Sequence, residues 1–416
     1  MKKIIGFCCL ALSMVSTSAM AVELSTLNAT TFAEAEKVST PGFDKKTEAR
    51  FIQYVDLNAA KLGVDNLSLD AYGWGRWGVN TGTATGDLSS GYIMYRTPKS
   101  NGYVKLGRFY DFNVTGVNQL DGLGLGADLG AGLRLTGFAG KPVEVSELRG
   151  RAVYGGTLSF KVPKYIDLGA SAVREDGLPT YNANGSIRKD FQELVGIKGW
   201  ASPHKIVELS GDATYNTVTS GWGEQRYNIL VRTTDYLTLN GEYQQYRLND
   251  YFATSTIPDL FSATDKNYKL FGGGLNFIVK DTTISGFYRR YRNDIEGNTN
   301  QYGAQVRSLF GSTVASIRYM RVDPTEALNA PIPSYHQIYA YLTMALTEKL
   351  HGDISGLVDL YDHKVDRVNR DYAVKTGGSL SYHITEHFRV SGELSYSNDI
   401  ETSDSMSGSL WLRYHI

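Results

Sequence analysis

The sequence predicts an all-β fold, a transmembrane antiparallel up-and-down β-barrel of about 18–20 strands. Three observations carry that reading: one stretch of strict two-residue periodicity, a long series of segments like it, and connections that alternate between short and long.

The stretch Gly122–Thr136 places Leu123, Leu125, Ala127, Leu129, Ala131, Leu133 and Leu135 at odd positions, with glycine, Asp128, Arg134 and Thr136 between them. Neighbouring side chains of a strand point to opposite faces, so one face is wholly aliphatic. A helix would scatter those leucines around its circumference. Thirteen residues at about 3.3 Å each, tilted by about 45°, rise roughly 30 Å, the thickness of a bilayer's hydrocarbon core. The expectation is one long strand whose aliphatic face meets lipid.

Taken in order, the chain begins with MKKIIGFCCLALSMVSTSAMA, which has a basic start, an apolar run and small residues at Ala19 and Ala21. Residues 1–21 therefore read as a secretory signal peptide. Both cysteines, Cys8 and Cys9, lie in it, leaving no disulfide, thiolate metal site or haem-attachment motif downstream. Residues 22–49 read as a weakly structured segment in which AEAEK at Ala33–Lys37 permits a helical turn, either a periplasmic tail or a piece tucked into the lumen. It is too short for a folded plug domain.

Residues 50–416 read as the barrel. The alternating segments are Arg50–Ala60, Asn66–Trp77, Asp87–Arg96, Gly102–Phe109, Leu123–Phe138, Arg151–Val162, Tyr165–Arg174 and Phe191–Trp200. They continue with Ile206–Tyr215, Gly223–Arg232, Leu237–Tyr246, Asn267–Val279, Thr283–Tyr291, Gln301–Arg307 and Thr313–Val322. The last are Tyr335–Leu346, Leu350–Tyr361, Tyr372–Ile384, Arg389–Ser397 and Met406–Ile416. From Pro163 onward, short turns such as Lys280–Thr282 and Thr347–Lys349 alternate with longer polar loops such as Arg247–Lys266 and Asp323–Ser334. Short periplasmic turns and longer outer loops give this pattern, which puts both termini in the periplasm. Tyr103, Tyr215, Tyr243, Tyr288, Tyr335 and Tyr414 are candidates for the interfacial girdles.

Composition agrees. The chain has 28 Tyr, 44 Gly and only 10 Pro, with no run of apolar residues long enough for a transmembrane helix. Without the leader, 40 basic residues face 43 acidic ones, which excludes the strongly basic balance of a nucleic-acid binder.

The C-terminal Leu410, Leu412, Tyr414 and Ile416, alternating with Trp411, Arg413 and His415, resemble the terminal signal of bacterial outer-membrane barrels, except that the last residue is not aromatic. With the strand pattern, residues 50–416 resemble the outer-membrane porin superfamily, by pattern and parity and without a diagnostic motif. The resemblance implies a Gram-negative outer-membrane location, contact with lipid and lipopolysaccharide, and diffusion of small hydrophilic solutes or ions. It is also similar to the porin-like barrels that enclose a multihaem cytochrome in electron conduits, an alternative role. A homo-oligomer is a further possible partnership.

Candidate lumen-facing residues are Arg134, Asp128, Arg226, Arg232, Arg307, Arg318, Asp353, Asp359, Glu393 and Arg413, since charges lining a pore set its ion preference. Any water-filled barrel also needs paired polar residues inside. The segment Arg108–Asp121, with Phe109, Asp111, Asn113, Asn118 and Asp121, stands where a short turn is due. It either folds into the lumen as a constriction against the glycine face or forms a long turn. Arg289, Arg290 and Arg292 suit either lipopolysaccharide phosphates or a solvated loop rim. Ser381, His383 and Glu393 carry the residue types of an acyl-transfer triad, but among so many serines such a grouping arises by chance. The chain reads as a non-enzyme with no catalytic residue, cofactor or metal, its seven histidines being scattered with no metal-ligand spacing.

Overall fold

The computed structural model describes residues 23–39, 46–143, 150–181, 187–247, 267–293, 297–324, 333–365, 369–399 and 404–415. The predicted signal peptide lies outside them. All regular structure among the described residues is β. The strands are β1 (Glu23–Ser39), β2 (Lys46–Ala60), β3 (Leu67–Gly78), β4 (Ala84–Arg96), β5 (Gly102–Asn113), β6 (Gly116–Gly130), β7 (Leu133–Pro142) and β8 (Ala152–Val162). There follow β9 (Ile166–Tyr181), β10 (Ile187–His204), β11 (Val207–Asn216), β12 (Gly221–Arg232), β13 (Leu237–Tyr246), β14 (Tyr268–Val279) and β15 (Thr282–Asn293). The rest are β16 (Gly297–Phe310), β17 (Thr313–Pro324), β18 (Tyr335–Ala345), β19 (Leu350–Val365), β20 (Arg370–His383), β21 (Phe388–Asn398) and β22 (Asp404–His415).

Every strand pairs antiparallel with the next, and β1 pairs with β22 from Asn28↔His415 to Ser39↔Asp404, so a 22-stranded sheet closes on itself. Closure leaves no edge, and that is what lets a sheet cross a bilayer. The fold class is the one the sequence predicts, with 22 strands in place of 18–20. Both extra strands have a physical explanation.

The first is β1. Its outward positions hold small residues such as Ala29, Thr31, Ala33 and Ala35 where other strands carry leucine, so its alternation is weak and its Ala/Glu content suggests a helix. Pairing overrides that propensity, because without β1 the facing edges of β2 and β22 would leave rows of unpaired amides in lipid. Residues 23–39 are thus a barrel stave and neither a tail nor a lumen segment.

The second comes from Gly122–Thr136, which is a hairpin and not one long strand. Ala131 and Gly132, at φ 52° and 82°, form a two-residue turn between Gly130 and its partner Leu133. Such a turn alone would reverse the parity of the pattern. A bulge between Asp128 and Gly130 inserts one residue and restores it, so Leu129 and Leu133 both face outward and the alternation runs unbroken through the turn.

Even strand number brings the two ends of the barrel to one rim, which is also the rim of short turns such as 131–132, 280–281 and 311–312. Near the opposite, long-loop rim, five outward tyrosines repeat one contact. Tyr154, Tyr288, Tyr302, Tyr319 and Tyr396 hydrogen-bond diagonally across to Asp176, Asn300, Asp323, His336 and Asp404 on the neighbouring strand, at 2.7–3.3 Å. Each ring lies on apolar surface and each hydroxyl reaches the polar edge, which marks a membrane interface. Tyr165, Tyr236 and Phe310 mark the other rim. Of the expected girdle tyrosines, Tyr103 and Tyr335 instead face inward, where Tyr103 packs beside Lys105 and Arg134, and Tyr335 beside Tyr361.

The two faces make a direct test possible on adjacent residues of β21. Leu394 is 63 % exposed on the apolar face, whereas Ser395 bonds Ser407 on the polar one. Leu394→Arg should destabilise the folded barrel by about 2–4 kcal/mol and Ser395→Arg by well under half of that, measured by denaturant unfolding in lipid vesicles.

Candidate functional site

The candidate site is the lumen. Twenty-two strands spaced by about 4.8 Å and tilted by about 40° enclose a backbone cylinder on the order of 40 Å across. Pairing register places all ten candidate wall residues on the inward face. Arg134 lies opposite Asp128 at 3.6 Å, Arg226 bonds Asp212 at 3.1 Å and Glu224 at 3.2 Å, and Arg232 bonds Glu208 at 2.9 Å. Arg318 donates to Gln337 at 3.1 Å and lies 5.5 Å from the Tyr339 ring. Asp359 accepts from Gln337, and Asp353 from Ser379, both at 2.9 Å. Arg307, Glu393 and Arg413 make no ion pair among the described residues. Four of the ten, Arg134, Asp128, Arg226 and Arg232, are thus neutralised by a partner of opposite charge, as cross-strand pairing allows, and Arg318, Asp353 and Asp359 hold neutral partners.

Arg289 also faces inward. It bonds Glu242 at 2.6 Å across β14, where Gly272 supplies the room, since a Cβ there would lie 2.6 Å from the Glu242 carboxylate. Its neighbours Arg290 and Arg292 face outward at the long-loop rim. The three arginines therefore do not form one patch.

The segment Arg108–Asp121 is neither a short turn nor a free loop. It is the long-loop end of β5 and β6, closed by a turn at Val114–Thr115. Gly107, Gly122 and Gly140 form one row across β5, β6 and β7, and a Cβ on any of them would run into neighbouring backbone. Only glycine permits that crease. Beyond it the hairpin leans over the inner wall until Val114 reaches β10, where a Cβ on Gly196 would lie 3.0 Å from Val114 Cβ. The geometry closes: seven residues from Gly122 on β6 to Thr115 reach about 23 Å, and the four strand spacings from β6 to β10 span about 19 Å.

Beneath the hairpin, Phe109, Leu120, Phe138, Val153, Val173 and Leu194 form the apolar cluster of the molecule, with Phe109 and Leu120 essentially without solvent exposure. Lys105 lies 3.9 Å from the centre of the Phe109 ring. Asn113 shapes the tip by accepting from the Thr115 amide at 2.8 Å and donating to Asp111 at 2.9 Å, and Asn118 is buried. Asp121 departs from expectation. It faces the outer side of the hairpin and forms a two-pronged bond with Arg108 at 2.8 and 3.0 Å. Parity sets this, since Asp121 shares its face with Leu123.

The wall from β20 to β22 is different. Serines are frequent on it, among them Ser379, Ser391, Ser395, Ser407 and Ser409, interspersed with Glu393 and Trp411, and several bond to one another as in Ser381···Ser391 at 2.8 Å. Ser381 shares a hydrogen bond with Ser391 and accepts one from Arg389, while His383 packs edge-on against His351, so the structure does not assemble Ser381, His383 and Glu393 into a relay. Among the described residues no three His, Cys, Asp or Glu side chains converge as metal ligands. Sequence reading missed one gathering: four of the seven histidines pair near the short-turn rim, His351 with His383 and His387 with His415.

No family model and no curated protein matches this chain. Solved structures do match in fold. The siderophore receptor PirA from Acinetobacter baumannii aligns at TM-score 0.59 with 12 % identity, covering 93 % of this chain and 80 % of that one. A point mutant of the ferric enterobactin receptor PfeA from Pseudomonas aeruginosa, in complex with enterobactin, aligns at 0.57 with 10 % identity, covering 93 % and 81 %. The translocation pore of the usher PapC aligns at 0.51 with 10 % identity, covering 94 % and 99 %. At such identities the likeness concerns architecture, and the architecture is that of outer-membrane β-barrels.

The buried cluster gives the hairpin a measurable anchor. Phe109→Ala should lower stability by about 3–5 kcal/mol and release the hairpin from β10. Hydrogen exchange at Val114–Asn118 would report the release as lost protection.

Proposed function

We propose that the protein is a diffusion channel of the bacterial outer membrane for small hydrophilic solutes or ions, with its short-turn rim and both barrel ends on the periplasmic side. The observation that carries this is the lumen itself: a polar inner wall within a backbone cylinder about 40 Å across, narrowed from one side by a hairpin layer about 10 Å thick. Barrels of this strand number are too wide for wall side chains to fill. Pore-lining roles then fall to Arg134, Asp128, Arg226, Arg232, Arg307, Arg318, Asp353, Asp359, Glu393 and Arg413, with Phe109, Asp111, Asn113 and Asn118 in the constriction. Their near balance of sign supports weak ion selectivity. The fold neighbours, a translocation pore and two siderophore receptors, agree with transport in general. Outer-leaflet lipid and lipopolysaccharide are the expected surroundings of Arg290 and Arg292.

One observation favours a second reading, a sheath around a multihaem cytochrome. The serines of β20–β22, clustered between Lys375 and Arg389, leave part of this wall with short side chains that an inserted protein could approach closely.

Single-channel recording on the refolded protein tests both. Stable ohmic steps are expected from the channel, together with a haem-free spectrum of the gently extracted native complex. A silent barrel whose native complex absorbs as haem would overturn the channel in favour of the sheath. Replacing Tyr110–Gln119 by a two-residue turn should raise conductance at least twofold, because it removes the layer that narrows the lumen.

A further inference from the structure

We propose an oxyanion-binding site at the short-turn mouth of the lumen, built by Arg389 and Arg413 and flanked by His383 and His351. Arg389 on β21 and Arg413 on β22 stand directly opposite one another on the inward face. Like charges in that relation repel, and no described carboxylate pairs with either. Elsewhere in the wall Arg134, Arg226, Arg232 and Arg289 each hold a carboxylate. Arg307 and Arg318 also lack a carboxylate, but among the described wall residues Arg389 and Arg413 are the arginines that face each other across a strand pair.

Each arginine is supported from behind. The Arg389 Nε donates to Ser381, which shares its hydroxyl hydrogen bond with Ser391, and that leaves the two terminal nitrogens of the fork. The Arg413 guanidinium lies 5.5 Å from the Trp411 ring, and Trp411 in turn packs on Phe32 with centroids 4.1 Å apart. His383 stands opposite Arg389 on β20, its ring 5.4 Å from that of His351 on β19, and Thr30 stands opposite Arg413 on β1. The surrounding acids are engaged or displaced: Asp56 accepts from Asn28, Glu386 lies in the turn beside His387, and Glu393 is four residues along β21. Two guanidiniums side by side in a hydroxyl-lined wall match the paired oxygens of a phosphate or carboxylate, which would bridge both forks and cancel their repulsion. The ligand class is a small solute bearing a phosphoryl or carboxylate group, taken up where the lumen opens at this rim.

The site needs the lumen to be wetted but does not need current to flow. Calorimetric titration of the folded full-length protein in detergent, at low ionic strength, should show saturable binding of inorganic phosphate, of citrate, or of both, and the stronger of the two identifies the preferred group. R413Q should weaken binding at least tenfold, and R389Q with R413Q should abolish it. K205Q, the same charge change in the turn between β10 and β11 at this rim, should leave it intact. Phosphate should also raise the thermal midpoint of the unmodified protein but not that of the double variant. With phosphate absent and salt low, R413Q should melt above the unmodified protein, because it removes the repulsion. Absence of saturable binding to either anion, or binding that survives in the double variant, overturns the site. A barrel that binds phosphate yet carries no current would keep the site and remove the channel, and a conducting barrel without saturable binding would do the reverse.

Discussion

Every backbone amide that enters a bilayer must find a partner inside the protein, and here that requirement is met by the pairing of β1 with β22. The closure fixes much else. It forces an even strand number, brings both ends to one rim, and turns each strand's alternation into a lipid face and a water face. It also explains why β1 exists at all. A stretch of alanine, threonine and glutamate has little reason to be a strand by itself, yet it completes the one arrangement that leaves no open edge.

Within the closed wall, charge and packing are divided unevenly. From β11 to β15 the inner face is laced by ion pairs that bridge neighbouring strands, and in one case skip a strand over Gly272. From β5 to β10 the hairpin lays a second layer over the wall and traps an apolar cluster inside a water-facing lumen. That arrangement needs a crease of three aligned glycines, because a strand that leaned inward with side chains in that row would collide with its neighbours. From β20 to β22 the wall is thinly covered and ends at the unpaired arginines. The lumen wall is therefore asymmetric, covered by a second layer on one side and by a single layer rich in serine on the other.

The pattern of the sequence carried far because a barrel stave is a local object. Each of the twenty segments coincides with a strand or, at Leu123–Phe138, with two. Inward placement of Arg226, Asp359 or Glu393 followed from parity alone, since a residue next to an exposed Tyr227, Leu360 or Leu394 must point the other way. Failures came where locality breaks. Missing β1 reversed the parity of the first strands, and reading β6 and β7 as one strand reversed it back, so the later loops came out on the correct rims while Arg108–Asp121 came out on the wrong one.

The sequence by itself determined the class of fold, the two faces and most inward residues, because period-two alternation is set by the geometry of successive Cα–Cβ bonds. Only the tertiary structure decided the closing strand, the inward lean of the hairpin and the meeting of Arg389 with Arg413 and of His351 with His383. Those depend on register between strands, and register depends on one-residue bulges and on which glycines face one another. Both are properties of pairs of segments, and neither is written in either segment alone.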